Sequence, residues 1–165
     1  MYAPEKTDPS ALQSDGMVVF STGLPEQCNF GPYVNLHFWS NNGTSTFAQV
    51  NNPILKSDFA DHFGYVNALT LKPGRYDIFP DAQPGLNMNN IPHAFVTIGA
   101  GKIVYIGEYF IDFSCASLTT RHERIVSHFF DKFDRDVAVL RAKNPAFGKV
   151  VIEKHVVHFE VVTPN

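Results

Sequence analysis

Apolar and polar residues alternate along much of the chain. Over residues 33–40, Val34, Leu36 and Phe38 fall on one face of an extended segment and Tyr33, Asn35, His37 and Trp39 on the other. Asn41-Asn42-Gly43 supplies a turn, and residues 44–50 return as an antiparallel partner. Further strands are expected at 17–21, closed by Gly23 and Pro25, and at 65–71 and 75–79 around Lys72-Pro73-Gly74. Pro followed by Gly suits the central positions of a type II turn. Residues 54–65 fit either an irregular edge or a short helical turn before Gly64.

The pattern is densest between residues 93 and 145. Two apolar runs flank the turn Gly99-Ala100-Gly101. The second, 102–113, carries Ile103, Tyr105, Tyr109 and Ile111 on one face and Val104, Ile106 and Phe110 on the other. A strand apolar on both sides is central in its sheet and covered. Gly107 marks a bulge or a close backbone approach. One helix is expected over 131–144, with Phe133, Val137 and Leu140 as its apolar stripe and Asp131 or Asp134 as N-cap. Arg141 and Lys143 suit its last turn, and Asn144-Pro145 ends it. Residues 149–162 form a last β-rich run. The expected fold is mostly β: an antiparallel immunoglobulin-like or transthyretin-like sandwich of seven to nine strands with one main helix. Residues 1–15 lack periodicity and read as an extended tail or linker before a single domain over 16–163.

Composition narrows the function classes. Fifteen Phe and six Tyr against three Met favour strands, where aromatics suit a half-buried pleated surface. A net charge of -3 gives no basic footprint for nucleic acid. No apolar run approaches the roughly 20 residues of a transmembrane helix.

Candidate chemistry is sparse. Seven histidines invite a metal hypothesis, but His155 and His158 leave opposite faces of an expected strand. His122 and His128 lack an HExxH spacing, and His37, His62 and His93 are scattered. No metal site or cofactor is expected. Cys28 and Cys115 lie in loops, outside any CxxC pattern. Two unpaired thiols are the expected state, with a single disulfide the alternative if the fold joins those loops. Cys115 and His122 can be drawn as a hydrolase dyad, although no flanking motif supports it. Asp131, Asp134, Arg135 and Asp136 form a charged group best explained by capping and dipole compensation. Two surfaces are candidates for a partner or ligand: Tyr33 with Trp39, as an aromatic platform if they are not core, and the long polar loop carrying Gln83, Asn87, Asn89 and Asn90.

Three segments together resemble a pattern found in small bacterial envelope lipoproteins and exported proteins with a β-sandwich domain. They are Leu71-Pro73-Gly74-Tyr76 (L-x-P-G-x-Y), Gly101-Lys102-Tyr105-Gly107 (G-K-x-x-Y-x-G) and Arg135-Asp136-Leu140 before Pro145 (R-D-x-x-x-L). The resemblance spans roughly residues 68–147 and brings no catalytic residues. It implies a non-enzymatic accessory or scaffold module of a cell-envelope assembly, a secretion-system outer-membrane complex among them, with other envelope proteins as partners. It also implies a periplasmic or outer-membrane-associated location, with a lipid anchor only in an untrimmed precursor. A cytoplasmic protein is expected if no export signal was removed. A glycan- or peptidoglycan-binding sandwich is the alternative, and the Cys/His hydrolase a more distant one.

Overall fold

The computed structural model describes residues 3–28, 34–52, 54–82, 91–112, 115 and 126–160. Over these described residues the chain is mostly β, with two sheets and one α-helix. The strands are β1 (Gly16–Leu24), β2 (Val34–Trp39), β3 (Ser45–Gln49), β4 (Phe63–Leu71), β5 (Gly74–Ala82), β6 (Ala94–Ile98), β7 (Ile103–Asp112), β8 (Val126–Phe130) and β9 (Glu153–Lys154). The helix α1 (Phe133–Lys143) stands between β8 and β9. Sheet A has the order β4-β1-β7-β8, with β9 also on β7; sheet B has the order β3-β2-β5-β6.

The inner faces of the two sheets share one apolar core in a sandwich-like arrangement. Val18, Phe20, Ile106 and Tyr109 of sheet A meet Leu36, Phe38, Tyr76 and Ile78 of sheet B. A second core lies on the outer face of sheet A. There Val137 and Leu140 of α1 cover Met17, Val19, Val66, Ala68, Ile103 and Tyr105, and Phe147 closes the end. The β7 strand is therefore buried on both sides, as its sequence requires.

Several expectations are corrected. The β1 and β7 strands pair in parallel, so sheet A is mixed rather than antiparallel. Residues 71 and 74 end and begin strands of different sheets, and Gly74 has φ 158°, near extended backbone, so no type II turn forms. The helix starts after Lys132, which caps nothing with its side chain. Asp131 stands one residue earlier, where its Oδ1 accepts from Phe133 N at 3.1 Å, and Asp134 lies inside the first turn. In the described part of the 149–162 run, residues 149–160, only the two residues of β9 are strand, because β8 already occupies the same edge of β7 from Glu108 to Asp112. The chain follows the free half of that edge through His155 N to Tyr105 O and Val157 N to Ile106 O, then bridges to His93 at Glu160. Residues 3–15 are held against the body: Leu12 joins the second core, and Asn144 Nδ2 donates to Pro4 O and Thr7 O.

Gly107 is the pivot of β7. Its φ of 115° is left-handed, and the register with β1 slips between Val19 and Ser21 opposite it. Beyond the bulge the faces exchange, so Tyr109 and Ile111 join Val104 and Ile106 in the inner core, while Glu108 takes the helix side. A Cβ at 107 would also stand 3.1 Å from Phe130 O. Gly107→Ala should cost about 1–3 kcal/mol in urea unfolding, from backbone strain at that φ. A loss near zero would show that the bulge relaxes.

Parallel pairing brings the C-terminal ends of β1 and β7 together. Just past them, Cys28 and Cys115 form a disulfide, with Cα atoms 5.4 Å apart and a separation of 87 positions in sequence. This overturns the expectation of two unpaired thiols, because no local pattern announces a contact made by parallel strands. Titration of denatured, unreduced protein should find no thiol, whereas two would contradict the bond. Its removal should cost about 2–4 kcal/mol.

Candidate functional site

The outer face of sheet B is built from alternate residues of four strands. On the inner side Leu36, Phe38, Ala48, Tyr76, Ile78, Ala94 and Val96 are buried. Period-two alternation therefore turns His37 and Trp39 of β2, Phe47 of β3, Arg75, Asp77 and Phe79 of β5, and Phe95 of β6 outward. Register aligns them in two rows. In the first, His37 stacks between Phe47 (5.4 Å between ring centres) and Phe79 (5.4 Å), and Phe79 meets His93 at 5.3 Å. In the second, Trp39 lies between Ser45 and Asp77, with Phe95 beyond Asp77.

Polar groups are set among these rings. Asp77 Oδ1 lies 2.8 Å from His93 Nδ1, and the Arg75 guanidinium lies 4.4 Å from the centre of the Phe95 ring. Trp39 and Phe47 are each 50 % exposed. Large aromatic groups at that exposure, on one face and one row apart, form a surface suited to a partner or ligand. The indole of Trp39 is thus no part of the core. Tyr33, Gln83, Asn87, Asn89 and Asn90, the other expected members of a contact surface, lie outside the described residues. Phe47, Asp77, Phe79 and Phe95 have no place in the sequence expectation, and His37 and His93 enter it as scattered histidines rather than as members of a contact surface, although Phe47 and Phe79 carry the same alternation as Trp39.

A second cluster lies on the other layer, beneath the first turn of α1. Asp136 is fully buried there and accepts three hydrogen bonds: from Ser21 Oγ (2.5 Å), Tyr105 Oη (2.7 Å) and Arg135 Nε (2.8 Å). Arg135 Nη2 also donates to Glu108 Oε1 at 2.8 Å, and its guanidinium stands 4.0 Å from the centre of the Phe59 ring. Glu108, 2 % exposed, is met from the other side by His62 Nε2 at 2.8 Å. Gly23 leaves the room for this meeting: a Cβ there would sit 2.6 Å from Phe110 and 3.0 Å from Glu108 Oε1. Burial pushes the Asp136 carboxyl up, against the donors Ser21, Tyr105 and Arg135. Burial works against the Arg135 charge, but the bonds to Glu108 and Asp136 carry it above its ordinary value. Burial likewise raises the Tyr105 phenol, with Asp136 adding to it.

The charged group expected to be a capping feature therefore divides. Asp131 does bond a helix N–H, and its carboxyl is held down first by Lys154, at 2.8 Å. Asp136 and Arg135 instead tie α1 to sheet A. The Cys115 dyad is removed, because a disulfide leaves that sulfur no thiolate; His122 lies outside the described residues. Among the described residues, no group of three His, Cys, Asp or Glu is placed to hold a metal ion, and no helix is long and apolar enough to cross a membrane. Comparison with protein-family models, with curated proteins and with solved structures gives no significant match.

Proposed function

We propose that this chain is a non-enzymatic binding module, an accessory or scaffold component of a bacterial cell-envelope assembly, that meets its protein partner through the outer face of sheet B. The observation that carries this reading is the pair of half-exposed rings, Trp39 and Phe47, on the β2 and β3 side of a four-strand aromatic face. The Cys28–Cys115 disulfide supports an oxidising compartment outside the cytoplasm, the periplasm or the outer-membrane surface. The core shared by the two sheets supports an immunoglobulin-like or transthyretin-like sandwich, with the parallel β1–β7 pair as its departure from an antiparallel plan. Immobilised protein should retain envelope proteins, including subunits of a secretion-system outer-membrane complex, from solubilised envelopes. A Trp39→Ser/Phe47→Ser double variant should lose them. Equal retention by the variant, or recovery of cytoplasmic proteins alone, would contradict the reading.

One observation favours a second reading, a glycan- or peptidoglycan-binding face. Trp39 presents an exposed indole with a hydroxyl, Ser45, and a carboxylate, Asp77, as its cross-strand neighbours. Flat apolar surface beside hydrogen-bonding groups is what the two faces of a sugar ring require. Trp39 is the single tryptophan, so its fluorescence reports the face without background. Soluble peptidoglycan fragments should change that emission in a saturable way under this reading, and an unchanged spectrum would remove it.

A further inference from the structure

The segment 57–62, between β3 and β4, fastens α1 to sheet A at two points. Near its start, Asp58 pairs with Lys143 in the last turn of α1 at 2.7 Å and accepts from Val66 N of β4 at 2.8 Å. Phe59 then carries the Arg135 guanidinium on its ring and stacks on the His62 imidazole, 4.6 Å between centres. At the far end both nitrogens of His62 face carboxylates: Nδ1 lies 2.7 Å from Asp61 Oδ1, and Nε2 lies 2.8 Å from Glu108 Oε1.

That double contact constrains the proton count. An ionised carboxylate only accepts, so both contacts are hydrogen bonds only when the ring carries a proton on each nitrogen. With one proton, one contact turns into two facing lone pairs. The charges around the ring come from every packed element: Asp61 and, further back, Asp58 from its own segment, Glu108 from β7, and Arg135, Asp136 and Lys143 from α1. The β1 strand contributes Gly23 and the hydroxyl of Ser21, but no charge. A doubly protonated ring gives the buried pair Glu108 and Asp136 two cations, His62 and Arg135; a singly protonated ring leaves them one. The Asp61 carboxyl is held below its ordinary 3.8, first by its bond from His62, as an engaged clasp requires.

We propose that His62 makes segment 57–62 a proton-operated clasp on α1, shut when the ring carries both protons and loosened when it carries one. The segment reports its own opening through two amides, Asp58 N bonded to Gly64 O and Gly64 N bonded to Ser57 Oγ. Hydrogen exchange of these amides is followed by NMR from about pH 5 to about pH 8 and corrected for intrinsic base catalysis. In the unmodified protein their protection should fall about tenfold as pH rises, the worth of one charge-assisted hydrogen bond. The Val50 amide of sheet B, bonded to Val34 O, should keep its protection. His62→Gln cannot titrate, and Asp61→Asn can turn either its oxygen or its amide to the ring, so both should flatten the response. Asp61 is 84 % exposed in its side chain, which keeps that variant folded should His62→Gln fail. An unchanged protection in the unmodified protein, or the same fall in Asp61→Asn, would overturn the clasp.

Discussion

Arg135→Met should destabilise the protein by about 3 kcal/mol, the largest loss expected from a single charged side chain. Methionine keeps much of the apolar stem over Phe59 but removes the guanidinium that bonds both Glu108 and Asp136. Both carboxylates are almost wholly buried, and breaking a buried pair leaves an uncompensated charge, which costs about 3–5 kcal/mol. The lower end applies because the Arg135 side chain is 30 % exposed and water can enter in its place. Asp136→Asn should lose clearly less. Burial raises the Asp136 carboxyl, so the folded chain takes up that proton at higher pH than the unfolded chain does. Ionisation then costs stability as pH rises through the folded value, and asparagine removes that cost while still accepting from Ser21 and Tyr105. Urea unfolding of the two variants at neutral pH compares them. A greater loss from Asp136→Asn would show that the arginine is not the balancing charge.

Leu140→Ala should cost about 2–5 kcal/mol. Leu140 is fully buried in the second core, against side chains from β1, β4 and β7, and alanine leaves a cavity that a helix held at both ends cannot close. Its neighbour Arg141 is exposed, and truncating it should change stability by no more than about 0.5 kcal/mol. The contrast decides whether α1 is a structural layer. Equal, small losses in urea unfolding would make it a peripheral attachment.

What could be read from the sequence follows from how local each interaction is. The β2–β3 hairpin was legible because alternation and turn sit within sixteen residues, and Gly43 adopts the left-handed φ of 88° that such a turn uses. The helix was legible because Val137 and Leu140 share a face. The bulge at Gly107 could be suspected, but its effect on Tyr109, Ile111 and Glu108 depends on pairing with β1, some ninety residues earlier in the chain. The same parallel pairing hid the disulfide. The aromatic face showed itself only at Trp39, since His37, Phe47, Phe79 and His93 become neighbours through strand order alone. The His62–Glu108–Arg135–Asp136 cluster draws on three separated parts of the chain, and no spacing rule joins them.

The central claim is that the outer face of sheet B is the working surface, and photo-crosslinking in the native organism tests it most directly. A benzophenone amino acid replaces Phe47 on that face or Val151, 81 % exposed and next in sequence to Ile152 of the second core. Irradiation of intact cells should give a discrete crosslinked species from position 47, containing an envelope protein, and none from position 151. The same species from both positions, or from position 151 alone, would contradict the account.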